Sequence, residues 1–323
     1  MTPAPYFEGM ADAPAGGACH WLETSDGVRI RAGHWRKDGA RGSVLIFPGR
    51  TEYVEKYGPI ARMLHGIGLS AMAVDWRGQG IAARLHADPR AGHVEHFSDY
   101  QKDVAAYVAH ARDLGMPEPF YLLGHSMGGC IGLRALHEGL PVASAAFTAP
   151  MWGIGLSPIL RPTAWAVSWA TEKVGLSHLY TPSTGAASYV ATADFDDNTL
   201  TTCPDMFDFM KRQVLEQSDL QLGGPSIRWL REALIECRTL AAMASPATRC
   251  VTFLGSNERI VDPQRIHDRM AAWPNGELVV MDGAEHEVLM ERADRRDAII
   301  ARLDAHFQPE HQDASNGSHC AGV

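Results

Sequence analysis

Short apolar segments alternate with longer amphipathic ones along the first half of the chain. Three of the apolar segments are nearly uninterrupted and end in turns that contain glycine or aspartate, namely Ser43–Phe47, Ser70–Val74 and Phe120–Leu123. Such runs are typical of strands that are buried on both faces of a parallel sheet. The segments between them have the apolar spacing of helices, as in Phe97–Leu114. This alternation predicts βαβ units and therefore an α/β fold with a mostly parallel central sheet.

A hairpin is predicted ahead of these units. Cys19–Glu23 and Val28–Trp35 are extended runs on either side of Asp26-Gly27, a pair that strongly favours a tight hairpin turn. Residues 1–18, rich in Ala, Pro and Gly, are predicted to form a loose arm, and the polar residues 308–323 a loose tail.

The alternation of strands and helices stops at Pro150. Between residues 151 and 243 the pattern favours helices only, at Ile159–Val174, Pro204–Gln217 and Ser226–Thr239. An insertion at the carboxyl end of a strand lies over the face of the sheet where reactive residues gather. We therefore predict a core of residues 19–150 and 244–307 with an inserted helical cap, residues 151–243, that acts as a lid. The alternative is an insertion that only packs on the core.

The second part of the core resumes the sheet. Cys250–Leu254 and Glu277–Met281 are predicted strands, and Pro263–Ala272 is a predicted helix between them. A final helix is predicted from about Glu287 to Phe307, because its apolar residues fall on one stripe.

The composition narrows the class of protein. The 323 residues are 46% hydrophobic and 21% charged, and the net charge of -9 without a dense basic run argues against a nucleic-acid partner. Six scattered cysteines without a C-x-x-C pair predict free thiols in a reducing compartment. The chain has neither a recognisable secretory signal nor an uninterrupted run of about 18 apolar residues, so we expect a cytoplasmic protein.

The most informative motif is Gly124-His125-Ser126-Met127-Gly128, placed between a predicted strand and a predicted helix. This G-x-S-x-G pattern is typical of a nucleophile elbow, a tight turn that presents a serine hydroxyl above a sheet. The alternative is an ordinary glycine-rich turn. The strand and helix on either side favour Ser126 as a nucleophile.

A serine nucleophile needs a base, and in this arrangement the histidine comes last in the chain, after the last strand. Of the histidines after the cap, only His286 lies in a loop directly behind that strand. The others lie in predicted helices or in the tail: His267, His306, His311 and His319. We therefore predict that His286 is the general base.

Two residues compete for the role of triad acid, Glu258 and Asp262, which both follow the strand Cys250–Leu254. Asp262 directly precedes Pro263, where it would serve as the N-cap of a helix with proline at its first position. Glu258 has no such structural role, so we favour Glu258. Aspartate is the more usual triad acid, which keeps Asp262 open as the alternative.

An oxyanion hole requires two main-chain N–H groups. One belongs to the residue after the nucleophile, Met127, and the other to the loop after the strand Ser43–Phe47, for which we choose the amide of Arg50. The Arg50 side chain would bind an anionic head group or pair with Glu52 or Glu55. We favour the pairing.

These segments resemble the monoacylglycerol lipase and lysophospholipase branch of the α/β-hydrolases, which is grouped with the serine aminopeptidase-like hydrolases. The similarity is greatest to bacterial lysophospholipase-type members and covers about residues 20–307. It is carried by Gly49–Tyr53, Asp75–Gly80, Gly92–Val94, Phe97–Tyr100, Gly124–Gly129, Gly224–Leu230, Gly255–Pro263 and Gly283–His286. The resemblance implies the α/β-hydrolase fold, hydrolysis of a carboxylic ester in a lipid-like substrate, and no cofactor.

Carried onto this chain, the resemblance implies Ser126 as nucleophile, His286 as base, Glu258 as acid, and Arg50 and Met127 as donors of the oxyanion amides. The chain departs from the family at two positions. Pro48-Gly49 stands where many members have His-Gly, and the acid position holds glutamate instead of aspartate.

The function predicted from the sequence is a serine esterase of lipid metabolism that acts on a monoacylglycerol or a lysophospholipid. An amidase, peptidase or thioesterase with the same triad is an alternative, and a non-catalytic scaffold is another. No metal or nucleotide motif occurs. The apolar residues of the cap include Ile159, Leu160, Trp165, Val167 and Trp169. They would line an acyl channel or make transient contact with a membrane surface, although packing on the core accounts for most of them.

Overall fold

The computed structural model describes residues 1–155 and 169–308. Within those ranges, nine strands form one sheet in the order β1-β2-β3-β5-β4-β6-β7-β8-β9. Their bounds are β1 Thr2–Ala4, β2 Ala18–Glu23, β3 Arg29–Trp35, β4 Ser43–Phe47, β5 Ser70–Asp75, β6 Phe120–His125, β7 Ala145–Thr148, β8 Cys250–Gly255 and β9 Gly276–Met281. The predicted strands are therefore present.

The sheet is antiparallel at one edge and parallel elsewhere. The strands β1, β2, β3 and β5 pair antiparallel, and the predicted Asp26-Gly27 hairpin joins β2 to β3. All pairs from β5 through β4, β6, β7 and β8 to β9 are parallel. The prediction of a mostly parallel sheet is confirmed. The carboxyl ends of β4, β6, β8 and β9 consequently lie along one edge of the sheet.

Helices cover both faces of this sheet. The described helices are α1 Glu8–Ala11, α2 Gly58–Gly66, α3 Tyr100–Asp113, α4 Met127–His137, α5 Tyr189–Thr192, α6 Pro204–Glu216, α7 Ile227–Ala241, α8 Pro263–Ala271 and α9 Ala293–His306. Alternate residues of β4 show why two layers are needed. Leu45 and Phe47 pack in one apolar cluster with α3 and α4, whereas Val44 and Ile46 pack in a second cluster with α2 and α9.

Residues 1–18 differ from the prediction of a loose arm. Thr2–Ala4 pairs with β2, Met10 and Ala11 of α1 are buried, and the amide of Phe7 donates to Glu55. The arm prediction is wrong because the antiparallel edge of the sheet offers unpaired main-chain groups that the N-terminal segment satisfies. The predicted tail from residue 309 onward lies outside the described residues.

The last predicted helix begins later than expected. It begins at Ala293 instead of Glu287, after a separate turn at Val288–Met290. A 3₁₀ turn, Val54–Tyr57, precedes α2. Glu287 lies outside α9 and is buried. This residue becomes important at the candidate site.

The segment between β7 and β8 contains helices and no described strand. Of the predicted helices, Pro204–Gln217 and Ser226–Thr239 correspond to α6 and α7, and residues 169–173 are helical. The predicted helix at Ile159–Val174 lies mostly outside the described residues, as do Ile159, Leu160, Trp165 and Val167. Among described helices, none has the length and apolarity needed to cross a membrane.

Candidate active site

Ser126 lies in the turn between β6 and α4 with a left-handed φ of 49° and a ψ of -117°. Its amide donates to Thr148 O at 3.0 Å, and its carbonyl accepts from Met151 N at 2.8 Å, so the neighbouring strand holds this uncommon conformation. Gly128 permits the turn. A Cβ at that position would lie 1.9 Å from the carbonyl oxygen of Phe47 in β4.

His286 follows β9 and contacts Ser126. Its Nε2 lies 2.9 Å from Ser126 Oγ, and its Nδ1 lies 2.7 Å from Glu258 Oε2, which follows β8. The imidazole and the Glu258 side chain are buried, and Ser126 is 8% exposed. The three residues that the sequence selects are therefore connected in one chain of hydrogen bonds at the carboxyl edge of the sheet.

The two candidate acids have different positions. Besides His286, Glu258 binds the amides of Ile260 and Val261, both through Oε1, at 2.6 and 2.9 Å. Burial acts to raise the pKa of Glu258, but the charge and hydrogen bond of His286 and these amides outweigh burial and hold that pKa below its ordinary value. Asp262 instead accepts the amides of Gln264 and Arg265 as the N-cap of α8.

The two proposed oxyanion amides come from adjacent segments. Met127 is the first residue of α4, and Arg50 follows β4, whose end touches Gly128. Neither amide donates to an acceptor among the described residues. Side chains around them hold the loop: Glu52 accepts from the amide of Gly49, and Gln79 accepts from the amide of Thr51.

A buried ionic network lies beside these residues, and the sequence reasoning missed it. The ammonium of Lys56 binds the carboxylates of Glu52 and Glu287, the latter at 2.7 Å. His125 Nε2 lies 3.2 Å from Glu287 Oε2, and its Nδ1 lies 2.9 Å from Thr148 Oγ1. The imidazoles of His125 and His286 are 4.9 Å apart. The network therefore supports the triad from beneath.

Charge pairing sets the pKa values in this network. Burial acts to lower the pKa of His125, but the carboxylates of Glu287 and Glu52 outweigh it and raise that pKa. Burial acts to raise the pKa of Glu287, but Lys56 and His125 outweigh it and lower that pKa well below its ordinary value.

One signal could have revealed the network from the sequence. His125 precedes Ser126, Glu287 follows His286, and Glu52 lies two residues after Arg50. In a tight turn at a strand end, the side chain next to a reactive residue points back into the protein. Ionisable residues at these positions therefore require buried partners.

Three members of the network are of residue types that commonly bind metal ions. The ligand atoms of Glu52, His125 and Glu287 lie within 4.8 Å of one another. The ammonium of Lys56 contacts both carboxylates, so a protein cation already supplies the charge that this set requires.

Ser126 opens into a cavity of about 510 Å³. Its lining is partly polar, with Arg50, Ser183, Thr184, Gly223 and Gly224, and partly apolar, with Tyr189, Val190, Leu200, Met210, Val214, Leu222 and Ile260. Most of these residues belong to the segment between β7 and β8. The cavity is therefore enclosed between the sheet edge and the predicted cap.

The Arg50 side chain differs from the prediction. It pairs with neither Glu52 nor Glu55, because Lys56 binds the first and Arg31 binds the second. Instead its Nη1 donates to the carbonyl of Gly223 at 2.8 Å. The favoured pairing is therefore wrong, and the guanidinium lies beneath the segment between β7 and β8.

Known proteins with similar sequences carry lipase and phospholipase names. Lysophospholipase L2 of Escherichia coli strain K12 is 32% identical over 301 residues, which are 90% of this chain and 86% of that protein. The probable lysophospholipase L2 of Haemophilus influenzae is 26% identical over 84% of this chain and 85% of its own length. Human monoglyceride lipase is 29% identical over a shorter region, 36% of this chain and 37% of that protein.

Solved structures confirm the α/β-hydrolase fold. A soluble variant of monoglyceride lipase from Saccharomyces cerevisiae, in complex with a substrate analog, aligns with a TM-score of 0.69 at 18% identity and covers 88% of this chain and 93% of its own. A carboxyl esterase from Bacillus coagulans also has a TM-score of 0.69, at 14% identity, and covers 91% of this chain and 98% of its own. The predicted resemblance to the lysophospholipase and monoacylglycerol lipase branch is confirmed. Residues 38–293 match the family described as serine aminopeptidase, S33, and the chain belongs to this family of hydrolases.

Proposed function

We propose that this protein is a serine hydrolase that cleaves the carboxylic ester of a single-chain lipid, a monoacylglycerol or a lysophospholipid. The observation that carries the proposal is the chain of hydrogen bonds from Ser126 through His286 to Glu258 at the base of the cavity. A nucleophile, a base and an orienting carboxylate in this order are what acyl transfer requires.

In the proposed mechanism, Ser126 Oγ forms a bond to the acyl carbon while its proton passes to His286 Nε2. The carbonyl oxygen becomes an oxyanion that accepts hydrogen bonds from the Arg50 and Met127 amides. Glu258 remains ionised, holds the proton on His286 Nδ1 and stabilises the imidazolium. The imidazolium then protonates the departing alkoxide as the ester C–O bond breaks, and water releases the fatty acid from Ser126 by the same steps.

Both the cavity and the relatives support a lipid substrate. The apolar residues of the lining suit an acyl chain, and the amide of Glu287, next to His286, donates to Leu200 O at 2.7 Å, which places part of the apolar wall beside the base. Relatives named lysophospholipase L2 and monoglyceride lipase favour an acyl glycerol or its phosphorylated counterpart. No cofactor is needed for this chemistry.

We also propose that residues 151–243 act as a lid that contacts membrane surfaces transiently. Large apolar side chains in this segment are exposed, including Trp169 at 60% and Val174 at 67%. Several large exposed apolar side chains in one segment are typical of an interaction surface. The buried and unpaired Cys19, Cys130 and Cys203 support the predicted cytoplasmic location.

A second candidate, cleavage of an amide at a peptide N-terminus, is favoured by the name of the matching family alone. The triad chemistry is shared, so the bond is decided by the substrate that fits the cavity. The two described carboxylates that line the cavity, Glu52 and Glu287, both bind the ammonium of Lys56, so neither is unpaired and ready to bind an α-ammonium group. The ester is therefore the preferred substrate.

The test has two parts. A fluorophosphonate probe should label the wild-type protein and fail to label Ser126→Ala, and Cys130→Ala, a buried neighbour of the site without a chemical role, serves as the labelled control. The wild-type protein is then assayed on monoacylglycerols, lysophospholipids and aminoacyl anilides. Absence of labelling in folded wild-type protein would contradict the hydrolase proposal, and cleavage of anilides alone would favour the peptidase.

A further inference from the structure

The guanidinium of Arg50 is a partly buried positive charge at the wall of the cavity. Its Nη1 donates to Gly223 O, and its Cζ lies 5.7 Å from the ring centroid of Trp229. Gly92 closes the other side, where a Cβ would lie 2.9 Å from Arg50 Nη1. A guanidinium carries five N–H donors, and one of them is used by the carbonyl of Gly223.

Two other buried arginines have carboxylate partners, whereas Arg84 and Arg269, like Arg50, bind carbonyl oxygens. Arg31 is buried between Glu55 and Asp75, and Arg77 is buried between Asp103 and Asp26. Arg50 forms no ion pair with a carboxylate in the described parts of the chain. Burial without a counter-ion lowers the pKa of Arg50 to about 10. A buried cation without an anion is costly, and an anion that entered the cavity would relieve this cost.

The surroundings of Arg50 suit an anionic group. Ser183, Thr184, Gly223 and Gly224 line the same cavity, and Gly223 supplies the carbonyl that the guanidinium binds. Thr184 packs directly on Gly224, and Gly223 packs on residues 185 and 186, so these two segments form one wall. The Thr184 hydroxyl donates to Thr181 O, so the donors left for phosphate oxygens are the Ser183 hydroxyl and the remaining guanidinium N–H groups of Arg50.

Arg50 also connects these residues to the reaction centre, because it lines the same cavity as Ser126. Its amide is a proposed oxyanion donor, and its guanidinium lies at the other end of the same residue. The backbone nitrogen and Cζ of an arginine are separated by as many covalent bonds as the acyl carbon and the phosphorus of a lysophospholipid whose acyl chain is on the first glycerol carbon. The residue therefore has the reach to contact the ester carbonyl and the phosphate of one substrate molecule.

We propose that the Arg50 side chain binds the phosphate of a lysophospholipid head group and makes the enzyme select lysophospholipids over monoacylglycerols. The inference rests on the proposed ester hydrolase function and specifies its substrate. No bond is made or broken by the guanidinium. Its role is to add binding energy for a substrate that carries a phosphate.

The experiment compares kcat/KM for a short-chain lysophosphatidylglycerol and for the monoacylglycerol of the same chain length, both below their critical micelle concentrations. The selectivity is the ratio of these two values. Arg50→Gln should lower the ratio by about 10- to 100-fold, because a charge-assisted hydrogen bond is lost. Any effect of the substitution on the oxyanion amide enters both values and cancels. Arg50→Lys should restore part of the ratio, since the positive charge remains.

Arg90→Gln is the matched control. The Arg90 guanidinium binds Gln221, and its carbonyl accepts from the amide of Gly223, so the substitution removes a neighbouring charge that does not line the cavity. We expect the ratio of this variant to stay within about twofold of the wild-type ratio.

The outcomes separate this inference from the function on which it rests. A ratio that is unchanged in Arg50→Gln, or that falls equally in Arg90→Gln, would overturn the inference while both esters are still cleaved. Wild-type protein that cleaves neither ester would overturn the proposed function, and the selectivity inference with it. A reduced ratio in Arg50→Gln alone, with partial recovery in Arg50→Lys, would support it.

Discussion

The carboxylate of Glu258 lies 2.7 Å from His286 Nδ1, on the opposite side of the imidazole from Ser126, and its other oxygen binds two main-chain amides. The glutamate is thus fixed by the turn that carries it as well as by the histidine. Asp262, four residues later, caps α8 through its own carboxylate. Two neighbouring acids therefore have different roles: Glu258 orients the imidazole of His286, and Asp262 caps α8.

Replacement of the acid should test this separation. Glu258→Gln should lower kcat by about 10²–10⁴-fold with the fold intact, because an amide cannot stabilise the imidazolium or hold the required tautomer. Asp262→Asn keeps an N-cap acceptor and should leave kcat within about twofold. Ester hydrolysis by both variants, with circular dichroism as the check on folding, decides the matter. A large loss in Asp262→Asn with a silent Glu258→Gln would reverse the assignment.

Gly128 provides a test of the turn that carries the nucleophile. A Cβ in Gly128→Ala would lie 1.9 Å from Phe47 O, which belongs to the main chain of a central strand and cannot move freely. We expect the free energy of unfolding to fall by more than about 3 kcal/mol. Gly66→Ala in α2, where a Cβ meets nothing within 4 Å, should change it by less than about 1 kcal/mol. Urea denaturation measures both, and equal stability of the two variants would contradict the packing.

The main elements of the fold were predictable because their signals are local. Each parallel strand is an apolar run closed by a turn, and the helices between them have their own periodicity. Ser126, Glu258 and His286 could be selected because each stands directly after such a strand. Their roles stay predictions, while their proximity is a consequence of the parallel topology, which brings strand ends to one edge.

Features that depend on distant partners were not predictable in this way. The pairing of Thr2–Ala4 with β2 is set by an open sheet edge and not by a strand-like pattern in those residues. Arg50 was expected to pair with the nearest carboxylates in sequence, but Lys56 and Arg31 bind them. Which cation binds which carboxylate depends on tertiary contacts, so sequence distance is a poor guide.

The network beneath the triad makes stability depend on pH. The pKa of Glu287 is lowered in the folded state, so its contribution to stability is present above the ordinary carboxyl pKa and is lost as the pH falls. The pKa of His125 is raised, so its contribution is lost as the pH rises through the folded value. Glu287→Gln should reduce the free energy of unfolding at neutral pH by about 3–5 kcal/mol, because Lys56 loses a buried partner.

The fall of the free energy of unfolding at acidic pH gives the sharper measurement. Below about pH 5, where the carboxyl of Glu287 binds a proton in the unfolded chain but not in the folded protein, Glu287→Gln should lose stability less steeply than the wild-type protein, since the titrating group is absent. Glu138→Gln removes an exposed carboxylate that lies 3.9 Å from Arg134 and should follow the wild-type curve within about 0.5 kcal/mol. Urea denaturation at a series of pH values yields both curves. Parallel curves for Glu287→Gln and wild type would show that Glu287 does not pair as described.

The exposed apolar residues of the proposed lid should control binding to membranes. The double variant Trp169→Ser/Val174→Ser removes two large apolar side chains that are exposed in the protein and would be buried in a bilayer interface. We expect its binding to phosphatidylcholine vesicles, measured by sedimentation, to fall by about tenfold or more. Val280→Ser on β9, which is 49% exposed on the core, is the matched control and should bind as the wild type does.

Equal binding by the double variant and the wild type would show that this surface does not contact lipid, whereas equal losses in the double variant and Val280→Ser would indicate general adsorption of apolar side chains. A loss confined to the double variant, with unchanged hydrolysis of a monomeric ester, would assign membrane contact to the lid and catalysis to the core.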